Sequence, residues 1–249
     1  MQHHLNHRVR LVWIISSAFL LMLVIACVVS FDSGGAKLTQ PAVAQETASP
    51  TVTLTPIPTE TPTPTPDPTA IFQVTQTAQA EQQLRIFDQF IEDMKNGNAN
   101  QVTGIYVENV MALQVVQQPA GNPGFVSTID DVITYFLYPW QKAGNHGLLA
   151  HNYLAGRYFF NVGYGDIITL VFGDGYYQDF EVTRIRQYQA LQPNSPYSNF
   201  IDLETGEQKN VNTVFIEVYM GAFHTTLQTC IAQGSEGEWG RHFVLAPPL

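Results

Sequence analysis

From about residue 102 onward the sequence is a succession of short runs rich in β-branched and aromatic residues, and no other feature limits the fold as strongly. "GIYVENV", "MALQVVQQ", "GLLAHN", "RYFFNV", "DIITLVF", "YYQDFEVTRIRQYQA", "TVFIEVY", "TTLQTC" and "RHFVLA" follow one another, many of them separated by turn residues. Gly173-Asp174-Gly175, between two strong runs, is a hairpin signal. Residues 128–142, "STIDDVITYFLYPWQ", read instead as a short helix and loop. Eight or so strands in roughly 148 residues predict a mainly all-β domain, a closed or nearly closed β-barrel with short helices. No internal repeat is visible.

The part before this domain divides into three. Residues 11–31, "LVWIISSAFLLMLVIACVVSF", carry no charge, and a bilayer-spanning helix needs about 20 such residues. Arg8 and Arg10 precede the run, which places the N-terminus in the cytoplasm and the rest of the chain outside as a single-pass membrane protein. Two other fates are open: a cleaved signal peptide, or a lipoprotein signal, since "VIAC" (24–27) resembles a bacterial lipobox with Cys27 as the acylated residue. Residues 32–70 form a disordered linker. Seven prolines fall between Pro50 and Pro68, many alternating with threonine as in "TPTPTPDPT", a composition that builds no core and favours an extended spacer. Residues 71–97 read as an amphipathic helix and its stop: Leu84, Phe87, Ile91 and Met94 fall at helical spacing with Ile86 and Phe90 beside them, and Gly97 ends the run. Residues 98–249 are then the β-rich domain.

The chain's net charge is −10, and the part after the apolar run is more acidic still. Such a surface repels nucleic acid, so no nucleic-acid partner is expected. Exported proteins usually pair their cysteines or lack them. This sequence has two, Cys27 in the apolar run and Cys230 at the end of "TTLQTC". The structural reading of Cys230 is a buried, inert residue. A catalytic reading needs a proton-transfer group and an oxyanion stabiliser as well. His151, in "GLLAHN", can supply the first. Arg241, eleven residues after Cys230, can supply the second, because a loop over "IAQGSEGEWG" and an antiparallel return would make Cys230 and Arg241 neighbours across a strand pair. The structural alternative for Arg241 is an ion pair with an acidic neighbour such as Glu217. No histidine pair has zinc-ligand spacing and there is no CxxC, so no metal site is expected; Asp202, Glu204 and Glu207 leave calcium in an acidic loop open.

At this point the sequence resembles a known family. "TLQTC" (226–230) is similar to the TLxTC motif of sortases, the cysteine transpeptidases of bacterial cell surfaces. "LLAHN" resembles the segment that carries the family's histidine, and "RHFVLA" its arginine strand, in the same order. "GRYFFNVGYGDIITLVFGDG" between them is similar to the stretch where a Phe and a Gly-Asp precede a strand and hairpin. The resemblance covers about 102–249 and leaves the class open. It implies an eight-stranded β-barrel and a reaction without cofactor. In that reaction Cys230 attacks a carbonyl of a sorting-signal peptide to form a thioester. Arg241 stabilises the oxyanion or holds the peptide, and His151 moves the protons. The acyl group passes to an amine on the cell surface. The implied partners are secreted proteins carrying a sorting signal, an acceptor amine, and the membrane through the N-terminal anchor. Thr229 and Asn152, beside the cysteine and the histidine, are candidates for substrate contact. Two alternatives remain: a non-catalytic peptide-binding barrel, and a cysteine hydrolase that releases the peptide without transfer.

Overall fold

The computed structural model describes residues 68–249 apart from Pro196, with side chains described from residue 79 onward. The expected anchor or lipoprotein signal and most of the linker lie outside these residues. Among the described residues, no helix is long and apolar enough to cross a membrane.

Helix α1 spans Pro68–Met94, starting three residues earlier and ending two residues earlier than the spacing predicts. The chain divides into two compact units near this helix: residues 30–84, and a unit that includes 85–249. Within the second unit the end of α1 buries Phe90 and half-buries Phe87, Ile91 and Met94. The Phe87 ring lies 4.9 Å from Tyr106 and 5.3 Å from Tyr177. Gly104 allows the approach, since a Cβ there would sit 2.6 Å from the Met94 side chain. Leu84 and Ile86, which the helical spacing assigns to the apolar stripe, are exposed.

The rest is one sheet. Its strands are β1 (Val102–Val107), β2 (Met111–Gln117), β3 (Val132–Phe136), β4 (His146–Leu149), β5 (Ile167–Phe172), β6 (Tyr177–Glu181), β7 (Arg184–Ala190), β8 (Phe200–Asp202), β9 (Gln208–Lys209), β10 (Thr225–Gln233) and β11 (Glu236–Ala246). Their order is β6-β5-β1-β2-β3-β4-β10-β11-β7-β8-β9. Two neighbouring pairs, β2/β3 and β4/β10, are parallel. The eight-stranded barrel of the sequence reading is therefore corrected. There are eleven strands among the described residues, and the ladder does not close. Instead the C-terminal tail covers the edge of β6: Glu181 N–H donates to the Pro247 carbonyl at 3.0 Å and Leu249 N–H to that of Asp179 at 3.1 Å. An edge so covered offers fewer open backbone groups to other chains.

Three local readings also change. "TVFIEVY" forms helix α3 (Val211–Tyr219), not a strand. Asn210 caps it by accepting from Thr213 N–H at 2.9 Å, and Val211, Val214, Phe215, Val218 and Tyr219 turn to the core. "RYFFNV" lies in a 3₁₀ helix, Ala155–Asn161. The stretch read as helix and loop holds strand β3 before helix α2 (Leu137–Ala143). The expected hairpin at Gly173–Gly175 is present, joining β5 to β6.

Alternation along the central strands gives the sheet two cores. Leu148, Leu227 and Val244 join one with Ile105, Leu170, Phe159 and Phe180. Leu149, Phe243 and Leu245 join the other, with Tyr188, Phe200 and the inner side of α3. Strands β4, β10 and β11 are buried on both faces, which is why they read as near-continuous apolar runs.

Candidate active site

Strand β10 lies between β4 and β11, and this adjacency assembles the site. Cys230 stands directly opposite Arg241 in the antiparallel pair, as the spacing of the two residues predicts. On the other side β4 runs parallel to β10, with Leu149 abreast of Gln228. Ala150 N–H still donates to the Gln228 carbonyl at 3.2 Å. Thr229 Oγ1 donates to the Ala150 carbonyl at 2.9 Å. His151 follows Leu149 by two residues, as Cys230 follows Gln228. Residues paired across a ladder share a face, so Cys230 and Arg241 stand side by side on one face, with His151 just past the end of β4 on the other side of β10. All three are buried.

The connection between Cys230 and Arg241 differs from the expected loop. The strands continue to Gln233 and Glu236, which pair across a two-residue turn. Gly234 has φ +61°, the left-handed conformation such tight hairpins require and glycine adopts without strain. Between the Ile231–Gly240 and Gln233–Glu236 rungs the register shifts. Ala232 alone faces Gly237, Glu238 and Trp239, so β11 bulges there.

The Arg241 guanidinium is held on several sides. Its Nη1 donates to the carbonyls of Glu238 at 2.9 Å and Gly240 at 3.0 Å. Its Nη2 donates to the Pro193 carbonyl at 3.2 Å and lies 3.5 Å from the Glu238 carboxylate. The acidic partner is thus Glu238, and Glu217 is engaged elsewhere, with Lys209 and Tyr188. Burial pushes the Arg241 pKa down while Glu238 and Glu236 oppose that. Burial pushes Glu238 up, Arg241 pulls it down, and Glu236 adds to the rise.

His151 sits where β4 ends and the chain turns: Leu154 N–H and Gly156 N–H both donate to its carbonyl, at 3.0 and 2.9 Å. Burial lowers its pKa, and a hydrogen bond with the Val126 backbone works in the opposite direction. Its Nδ1 is buried and has no hydrogen-bond partner among the described residues, and its ring stacks on Tyr153 at 5.3 Å.

Thr229 and Asn152, the candidates for substrate contact, have internal partners. Thr229 bonds Ala150, and Asn152 Nδ2 donates to the Gly237 carbonyl at 3.0 Å, tying the chain after β4 to the bulge. Cys230 is in its disulfide form in the structure, which departs from the thiol that the sequence reading requires; Cys27 lies outside the described residues. The other described histidines have internal partners. His146 Nδ1 and Tyr135 OH are 2.8 Å apart, His224 lies against the carbonyls of Val218 and Ala222, and His242 bonds the Phe159 carbonyl at 3.2 Å. Asp202 bonds Lys209, and Glu204 pairs with Arg186. Among the described residues no cluster of three or more acidic, histidine or cysteine side chains could hold a metal ion.

No family model matches the chain, and no curated protein does. Solved structures do resemble it. Three of these are sortases. Sortase A of Listeria monocytogenes is 17% identical, over 59% of this chain and 86% of that one, with a TM-score of 0.36. A Clostridium perfringens sortase D5 transpeptidase is 12% identical, over 66% and 88%, with a TM-score of 0.38. Sortase E1 of Streptomyces coelicolor, solved with a tripeptide in its active site, is 16% identical, over 59% and 86%, with a TM-score of 0.37. Likenesses at these values transfer no residue role; the roles below come from this chain's own residues.

Proposed function

We propose that the protein is a sortase-type cysteine transpeptidase, anchored at the bacterial cell membrane with its β-rich domain outside. One observation supports the reading: Cys230 pairs directly with Arg241 across β10 and β11, and His151 lies two residues past the last rung of β4, the strand on the other side of β10. A cysteine, a proton carrier and a fixed cation are the three groups that acyl transfer through a thioester needs.

In the reduced enzyme the Cys230 thiolate attacks the carbonyl carbon of a sorting-signal peptide bond. Arg241 donates hydrogen bonds to the oxyanion, and a guanidinium held by carbonyls on its other side needs little reorganisation to do so. His151, as imidazolium, protonates the leaving amine as the C–N bond breaks and the thioester forms. The resulting neutral imidazole then takes a proton from the acceptor amine, which attacks the thioester and releases Cys230. Burial of His151 disfavours its charged form, and the hydrogen bond with the Val126 backbone opposes that. Residues 11–31 serve as the anchor and 32–70 as the spacer. At roughly 3.1 Å per residue the Thr/Pro part alone reaches about 60 Å, which lets the domain meet secreted proteins near the membrane.

The test is acyl-enzyme formation under reducing conditions. The protein is incubated with a pooled library of sorting-signal-like peptides and triglycine, and mass spectrometry follows adducts on Cys230 and peptide–glycine products. Adduct and transfer product, both absent from Cys230→Ala, are expected. Free acid alone would make the protein a hydrolase, and no adduct across a broad library would favour a binding barrel.

A further inference from the structure

We propose that Glu238 is a positioning residue for Arg241: its carboxylate, re-aimed by the β11 bulge, keeps the guanidinium buried and turned to Cys230. The inference rests on the transpeptidase reading for its catalytic consequence, and on geometry for the rest.

Residues three apart on a regular strand point to opposite faces. Glu238 and Arg241 are three apart on β11, yet their side chains meet. Glu238 lies where three residues of β11 face Ala232 alone, outside the regular ladder, and there its side chain is not held to the alternation of the paired residues. Bulges beside active sites commonly re-aim a side chain in this way. The Asn152 side chain holds the bulge through the Gly237 carbonyl, so the same short segment after β4 fixes both His151 and the bulge.

The charge matters as much as the direction. Arg241 is only 1% exposed and Glu238 only 3%. A buried cation without a counter-charge is expensive, and a long side chain relieves that cost by reaching for water. Three backbone carbonyls orient the Arg241 fork but bring no net charge. Glu238 brings one, and Glu236, whose Oε1 accepts from Glu238 N–H at 3.0 Å, adds a second negative charge that favours the Arg241 cation. With that charge in place the guanidinium stays beside Cys230 and faces the oxyanion as it forms.

Glu238→Gln tests this, since it keeps the size, an acceptor oxygen and the backbone carbonyl, and removes only the charge. Three rates are measured on the full reduced chain. The first is modification of Arg241 by phenylglyoxal, read by peptide mapping with Arg184 and Arg186 as internal controls. The second is alkylation of Cys230 by iodoacetamide, which needs the thiolate but no oxyanion. The third is acylation of Cys230 by the peptide pool. We expect Arg241 modification to rise about tenfold with the controls unchanged, alkylation to stay within about twofold, and acylation to fall on the order of ten- to a hundredfold. Arg241 as protected as in the wild type would overturn the proposal. So would alkylation and acylation falling together, which marks general disturbance of the site. If the wild-type protein forms no acyl-enzyme, the transpeptidase reading fails, and the phenylglyoxal rates still decide whether Glu238 positions Arg241.

Discussion

Gly156 is the place where one added carbon should disturb the site most. It opens the second residue of the 3₁₀ helix and lies under β10. A Cβ there would be 2.2 Å from Thr229 Oγ1 and 2.7 Å from the carbonyl oxygens of both Ala150 and His151. Thr229 can rotate away, but only by giving up its bond to Ala150, a buried interaction worth about 1 kcal/mol. The two carbonyls cannot rotate, and moving them moves His151. Overpacking of this kind costs about 1–3 kcal/mol, so Gly156→Ala should destabilise by about 3 kcal/mol in all. Urea unfolding followed by tryptophan fluorescence measures this, and thermal unfolding should shift by about 6–12 °C. Adding Thr229→Ala removes the 2.2 Å contact and leaves the two carbonyl contacts. The double variant should therefore recover part of the loss, with a coupling of about 1 kcal/mol. Gly156→Ala within about 0.5 kcal/mol of the wild type, or strict additivity in the double variant, would refute the reasoning.

Further expectations follow from the charged groups. Arg241→Lys keeps a cation but loses the planar fork that three carbonyls hold, so single-turnover acylation should fall about a hundredfold while iodoacetamide alkylation changes little. His146 is buried, and burial with the neighbouring His224 lowers its pKa to about 4. The folded value lies below the unfolded one, so the stabilisation is complete above about pH 6.5 and is lost as the pH falls towards 4, about 3 kcal/mol in total. The urea stability difference between wild type and His146→Gln should shrink by that amount between pH 7.5 and pH 4; a constant difference would contradict it. Lys209 bridges Asp202 at 3.0 Å and Glu217 at 2.9 Å, and Asp202 is 1% exposed. Lys209→Met strands a buried carboxylate and should destabilise by about 3–5 kcal/mol at neutral pH, with most of the loss recovered in Lys209→Met/Asp202→Asn.

The sequence exposes the sheet because its strands carry the β-branched and aromatic residues that pleated, buried surfaces favour. The adjacency of Cys230 and Arg241 is legible for a similar reason: antiparallel pairing turns a sequence interval into a spatial one. What stays hidden depends on context. "TVFIEVY" has strand composition, and its helical period emerges only when Val211 is counted with Val214, Phe215, Val218 and Tyr219. Asn210, a good cap, is the remaining local signal. "RYFFNV" has the same composition, but His242 on the distant β11 bonds the Phe159 carbonyl, and Gly156 N–H turns back to His151, which holds the stretch as a 3₁₀ turn. Glu238 is concealed by parity, since a spacing of three in a strand argues against contact with Arg241, and no local pattern marks the bulge. The parallel pairing that brings β4 beside β10 is equally long-range, which leaves His151 a candidate in the sequence and a neighbour only in the fold.

The short turn at Gly234–Ser235 ties Cys230 and Arg241 to one hairpin, so their relation is counted in residues along the chain. Adding or deleting a single residue between Cys230 and Arg241 would rotate one side chain to the far side of the sheet. Changes made in matched pairs, one residue per strand, would lengthen or shorten the arm and leave the pair intact. In this protein the length of that arm is free to drift while its parity is not. An engineer grafting a new tip onto the hairpin should treat Gly237–Trp239 as one indivisible insert.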